Sequence, residues 1–271
     1  MREVADIMPT NNENKSIRQY VLSPAAGKRL IAKSLLYIPT ILEALTKKTV
    51  VIVAGTTNGY VAEEFLNKIG QASVFSKKRF FRGITLPTGY KISRSEGSND
   101  ENKAESDVVI VKGNWIKGKT IYDVADTLQK GDIVIKGANA VNLSNNEAAV
   151  CIGNSAGGTV IAVLQAVIGK RVELFIPVGL EKRISEDISK IAFELNSPRA
   201  SGPRYMPISG NVITEIEAIK IMTGANAKLV AAGGVCGAEG SVRIAVIGDE
   251  EQLDNASALI ESVNLEPNFI V

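Results

Sequence analysis

Carboxylates, lysines, hydroxyls and thiols must carry any chemistry in this chain, because its 271 residues include no histidine. That removes the commonest general base, any Ser–His or Cys–His dyad, and most zinc or iron sites. Among the carboxylates, Glu239 is set between glycines and alanines in Gly237-Ala238-Glu239-Gly240. A glutamate lodged beside small residues either receives backbone N–H bonds or is poised, with a raised pKa, as a base or nucleophile. Glu181 and Lys182 are adjacent at the carboxyl end of an apolar run. In an enzyme, proton transfer would fall to Glu239 or Glu181, with Lys182 and Lys136 stabilising developing negative charge.

Three glycine-rich turns could hold a substrate. Val50–Val53 is an apolar, β-branched run that stops at Ala54-Gly55-Thr56-Thr57-Asn58-Gly59, and a helical pattern follows at once. Such a turn aims several backbone N–H groups and the positive end of a helix dipole at one point, where a phosphate fits. A plain helix cap at Thr57 or Asn58 explains part of the pattern, but two glycines and a second threonine exceed what a cap needs. The run Ala149–Ile152 leads likewise into Gly153-Asn154-Ser155-Ala156-Gly157-Gly158-Thr159 and an apolar helix. Gly157 and Gly158 permit close backbone approach, while Asn154 and Ser155 offer neutral polar contacts; an ordinary turn is the competing reading. Lys136 and Asn139 end the preceding strand. The third turn, Gly233–Gly240, follows Lys228–Ala232. None matches a Walker loop or a dinucleotide fingerprint.

The elements that must position these groups alternate. Strands are expected at 49–54, 108–111, 132–135, 149–152, 173–178, 228–232 and 241–247, with strand-like pieces near Phe80-Phe81 and Tyr90–Ile92. Helices are expected at 23–36, 39–47, 59–69, 121–128, 160–168, 183–195, 214–224 and 250–263. Ser23 with Pro24, and the Thr214–Glu217 capping box, mark two helix starts. Short, wholly apolar strands between helices predict a doubly wound, mostly parallel α/β sheet, whose ligands bind beyond the strands' carboxyl ends. Residues 1–16 read as a disordered tail, 17–206 as an α/β ligand-binding domain, and 207–271 as a small α+β portion. The stretches 93–106 and 196–206 read as loops.

Net charge is close to balanced at +2 and aromatics make up 5%, so no basic, aromatic-rich surface points to nucleic acid. No apolar stretch reaches the roughly 20 residues of a membrane span, and the polar N-terminus has no signal-peptide core. Cys151 and Cys236, expected as small buried hydrophobes, fit a reducing cytoplasm. No cofactor or metal is expected, and a homo-oligomer is compatible with the sequence.

With these residues in view, about residues 23–195 resemble the superfamily of ribose-5-phosphate isomerase, glucosamine-6-phosphate deaminase and the CoA transferases. Gly55-Thr56-Thr57-Asn58-Gly59 is similar to the isomerase's Gly-Thr-Gly-Ser-Thr phosphate loop. Lys136-Gly137-Ala138-Asn139-Ala140-Val141-Asn142 resembles its Asp-Gly-Ala-Asp-Glu-Val-Asp strand end with every acid lost. Lys182 falls where the family's lysine contacts substrate, and Glu239 is comparable with the CoA transferases' nucleophilic glutamate. The isomerase's Arg-Glu-Lys segment has no counterpart after Gly157-Gly158-Thr159. The resemblance implies the fold and a phosphate-binding cleft, and argues against that particular isomerisation. The resulting expectation is a protein that binds a phosphorylated small molecule: a sugar phosphate, a nucleotide or a CoA-like compound. Two versions stand, an isomerase- or transferase-like enzyme and a non-catalytic sensor. A nucleotide-dependent oxidoreductase ranks third, because its fingerprint is missing.

Overall fold

The computed structural model describes residues 15–82, 85 and 106–269. Strand β1 (Ser16–Leu22) leads to helices α1 (Pro24–Leu35) and α2 (Pro39–Lys47), then strand β2 (Thr49–Ile52) and helix α3 (Thr56–Lys68). A hairpin of β3 (Val108–Val111) and β4 (Asn114–Trp115) precedes the short helix α4 (Ile121–Val124). Next come β5 (Ile133–Ile135), β6 (Ala140–Asn142), β7 (Glu147–Ile152), helix α5 (Thr159–Lys170) and β8 (Glu173–Pro177). Helix α6 (Ile188–Leu195) and strands β9 (Arg204–Ile208) and β10 (Asn211–Ile213) follow. Helix α7 (Glu215–Thr223), strands β11 (Asn226–Ala232) and β12 (Val242–Gly248), and helix α8 (Glu250–Asn264) complete the described chain.

Among the described residues, six strands form the central sheet in the order β10-β8-β5-β2-β3-β4. The first four run parallel, and β3 and β4 are antiparallel additions at one edge. This is a mixed, mostly parallel α/β arrangement. Period-two alternation divides its apolar side chains between two clusters. Val50, Ile52, Ile133, Ile135 and Ile213 join Leu30 of α1, Phe65 of α3, Ile219 of α7 and Leu253 of α8. Val51, Val134, Leu174, Ile176 and Val212 join Ile121 of α4 and Val163 and Ala166 of α5. Strands buried on both faces need continuous apolar runs, which is what these segments contain.

Local signals set the helix ends. The Ser23 hydroxyl accepts from the Ala26 amide at 3.2 Å, with Pro24 in the first turn. Thr214 and Glu217 close their capping box, and α7 stops at Gly224, which takes φ +73° without a Cβ penalty. Helix α3 begins at Thr56, three residues before the expected start, so the polar turn is its first turn.

Several expectations need correcting. The run at 149–152 is not a further parallel strand: β7 lies in a separate antiparallel sheet, β6-β7-β9. Asn142 makes this hairpin by accepting the Ser144 and Asn145 amides, and β9 starts inside the stretch read as a loop. β11 and β12 pair antiparallel in a third sheet, β1-β12-β11, so the Gly233–Gly240 turn joins strands away from the central sheet. Phe80 and Phe81 are buried but follow a 3-10 turn (Lys77–Arg79) and form no strand; Tyr90–Ile92 lies outside the described residues. Helix α6 starts at Ile188 because Asp187, not an earlier residue, caps it, accepting the Lys190 amide at 2.9 Å. Cys151 and Cys236 are exposed rather than buried.

Candidate cleft at the strand ends

Ile52 and Ile135 are register partners on parallel β2 and β5, so the residues after them emerge side by side. They open onto a cleft of about 990 Å³. One wall is the α3 entry, Gly55 to Asn58. The second is Lys136 to Asn139, and the third is the end of β7 with the α5 entry, Gly157 to Thr159.

Asn58 staples the floor, its Nδ2 donating to the Val53 carbonyl at 2.7 Å and the Ile135 carbonyl at 3.1 Å. Among the described residues, that leaves Asn58 Oδ1 as a buried acceptor without a partner, and the neighbouring Thr57 Oγ1 likewise. Gly55, the residue before the helix, supplies no side-chain cap, so the first amides of α3 are not blocked by one. At α5 the preceding residue is Gly158, again without a side-chain cap. A Cβ on Gly157 would lie 2.3 Å from Ile161 Cγ1, and both glycines have positive φ, so this turn requires glycine.

Among the described residues, three cations border the cleft: Lys136, Lys182 and Arg82. Arg82 is held by Asp107 at 3.2 Å. Asp107 is fully buried and also accepts the Ala54 amide (2.9 Å) and the Ile121 amide (2.8 Å), which makes it a structural anchor. Lys182 Nζ donates to the Ala138 carbonyl at 2.9 Å. Its pKa is lowered chiefly by burial, with Glu181 opposing. Burial also pulls Lys136 down to about 8, helped by repulsion from Arg82 and Lys182 and opposed by Asp107. Among the described residues lining the cleft, none is an aspartate or glutamate.

Ten of the residues singled out in the sequence meet here: Gly55, Thr56, Thr57 and Asn58; Lys136 and Asn139; Asn154, Gly157 and Gly158; and Lys182. Asn139 also ties β5 to β7, its Oδ1 accepting the Cys151 amide at 2.9 Å. Four do not border the cleft. Gly59 is buried under Lys77, whose Cβ would be 3.1 Å from a Cβ at 59. Ser155 is exposed beside the cleft rather than lining it. Glu181 turns toward α1 and pairs with Lys28 at 3.0 Å. Glu239 is exposed in the β11–β12 connection, accepting the Gly237 amide at 2.9 Å. Thr120, Tyr122, Cys151 and Arg82 line the cleft without having been singled out for it. Only Cys151 carried a usable signal, being next to the second glycine turn.

Behind the cleft is a carboxyl group the sequence did not flag. Glu215 is buried at the start of α7 and accepts the Leu180 amide at 2.9 Å, anchoring the turn that carries Lys182. A Cβ on Gly27 would lie 2.2 Å from its Oε1, so α1 approaches it closely. Burial and the nearby Glu181 raise its pKa to about 8, against the pull of backbone amides and Lys28.

No protein-family model, curated protein or solved structure matches this chain. Among the described residues, no helix is long and apolar enough to cross a membrane, and no group of three or more His, Cys, Asp or Glu could hold a metal ion.

Proposed function

We propose that this chain is a cytoplasmic protein of doubly wound α/β type that binds a phosphorylated small molecule in the cleft. The ligand class is a sugar phosphate, a nucleotide or a CoA-like compound. One observation carries the reading. Two helix entries without side-chain caps, those of α3 and α5, open onto one cavity bordered by lysines and by no described carboxylate. Helix N-termini and cations both favour an anion, and no described acid in the lining competes for them. The similarity of Gly55–Gly59 to an isomerase phosphate loop supports the same reading. It is an analogy of sequence, and the chemistry rests on the site.

Gly55 provides the test. Its backbone is extended and a Cβ there would meet only Asn58 Cβ, at 4.0 Å, so Gly55→Val folds and fills the cleft wall. Calorimetry with phosphate, sugar phosphates, nucleotides and CoA is expected to find a ligand for the wild-type chain. The variant should bind it at least roughly tenfold more weakly, the loss of one charge-assisted hydrogen bond. Equal affinity in both, or no ligand in the panel, would remove the proposal.

The sensor reading is favoured by a specific observation: Glu181 and Glu239, the acids available for proton transfer, do not border the cleft. Turnover assays with whichever compound binds separate the two versions. Binding without turnover supports the sensor.

A further inference from the structure

Lys136 differs from the other buried and half-buried lysines at the sheet. Lys28 is paired with Glu181, Lys77 with Glu63 and Glu266, and Lys182 with the Ala138 carbonyl. Lys136 is 8% exposed and borders the cleft, and among the described residues its Nζ makes no hydrogen bond or ion pair, while its backbone amide donates to the Phe175 carbonyl at 3.0 Å. Its charged neighbours are Arg82 and Lys182, both repelling, and Asp107, which already holds Arg82. A lysine meant only to clamp an anion gains nothing from this setting, since burial and like charges both favour the neutral amine. A neutral amine in a cavity is a nucleophile, and these are the means by which lysines are activated for imine chemistry.

We propose that Lys136 is an amine nucleophile that condenses with the carbonyl group of an aldehyde or ketone bearing an anionic group. The Nζ lone pair attacks the carbonyl carbon, and the carbonyl oxygen takes up a proton to give a carbinolamine. The C–O bond then breaks and water leaves, forming a C=N bond to Nζ. Amine and carbonyl thus give imine and one water, with no change in oxidation state. A proton from solvent gives the iminium form. The inference rests on the anion-binding reading in one respect: the helix entries and Lys182 seat the anion while Lys136 reacts.

Pyridoxal 5′-phosphate, an aldehyde and a phosphate in one molecule, is the probe. The full chain is incubated with it, reduced with borohydride and mapped by peptide mass spectrometry. Lys136 is expected to be labelled on the order of tenfold faster than any other lysine at neutral pH, because more of it is unprotonated. The rate should rise with its midpoint near pH 8 and level off above that, not near the ordinary lysine range. Lys136→Arg, which keeps the charge but cannot form an imine, and Lys136→Met should both lose the fast phase while retaining the wild-type circular dichroism. Uniform labelling of surface lysines, or none at Lys136, overturns the proposal. Two further arms keep the readings apart. If inorganic phosphate protects Lys136, and pyridoxal without the phosphate labels it more slowly, both readings hold. If Lys136 labels quickly with either aldehyde and phosphate does not protect, Lys136 remains an amine nucleophile, while the anion site and the anionic part of its substrate class both fail. If phosphate binds in calorimetry but Lys136 is never labelled, the amine proposal fails alone.

Discussion

Two groups of buried charge sit on this sheet, and they are built on opposite principles. On the α1 side, Arg29 reaches three glutamates: Glu63, Glu64 at 2.7 Å and Glu266 at 2.8 Å. Lys77 joins Glu63 at 3.0 Å and Glu266 at 3.1 Å, and both cations lie about 5 Å from the centre of the Tyr60 ring. Burial opposes charge on Arg29, yet Glu266 and Glu63 raise its pKa above the usual value. At the cleft, among the described residues, the Lys136 side chain has no hydrogen-bond or ion-pair partner, and Thr57 and Asn58 each leave an oxygen unsatisfied. Partnered charge joins α1, α3 and the C-terminal segment into one body. Unpartnered charge stores unfavourable free energy that a ligand could relieve. The difference separates scaffold from site without reference to any relative.

The largest expected effect breaks the partnered group. Arg29→Met leaves three carboxylates close together with only Lys77, among the described residues, to balance them, and should cost about 3–5 kcal/mol in urea unfolding, as for other broken buried pairs. Ligand affinity of the remaining folded protein should be unchanged; a loss under 1 kcal/mol, of the order of a surface pair, would erase the contrast.

The cleft side should behave in the opposite sense, and pH reveals it. Lys136 titrates near 8 in the folded chain against about 10.5 unfolded, so its penalty is full below pH 8 and is relieved as pH rises to about 10.5. Lys136→Met should therefore raise the urea midpoint at neutral pH and flatten the gain of stability across that window. Glu215 has the mirror-image behaviour. Its folded pKa of about 8 lies above the unfolded value near 4.5, so it costs nothing below pH 4.5 and costs progressively more up to pH 8. Glu215→Gln keeps an acceptor for the Leu180 amide and should remove that decline; an unchanged pH profile would mean the carboxyl is ionised in place.

The smallest effect sharpens the link between the two regions. Phe269 packs edge-on against Phe81, centroids 6.2 Å apart, next to the Arg82 that borders the cleft. Phe269→Ala should lose about 0.5–1.5 kcal/mol beyond lost area, measurable as a lower melting temperature. A change in ligand affinity as well would mean the C-terminal segment positions Arg82.

What could be read in advance was local. Ser23 with Pro24, the Thr214–Glu217 box and the apolar runs of β2, β5 and β8 act through neighbours within a few residues, so they mark their elements directly. The residues of the cleft were also mostly visible, because Gly55–Asn58 and Gly157-Gly158 are turns whose composition exceeds a cap's needs. Arg82, Thr120 and Tyr122 had no such mark. They reach the cleft from segments far from its glycine turns, through contacts such as Asp107 with Arg82 and with the Ile121 amide.

Sequence alone determined the alternation of elements and the absence of imidazole chemistry, since each follows from residue type and short spacing. Tertiary structure decided which side chains share a cavity. Glu181 and Lys182 are neighbours in the chain, yet a 3-10 turn sends one to Lys28 and the other to the cleft. β7 resembled a parallel strand but pairs antiparallel with β6 and β9. Strand partners and side-chain direction at turns depend on residues distant in sequence, and an apolar run of a few residues is compatible with either pairing.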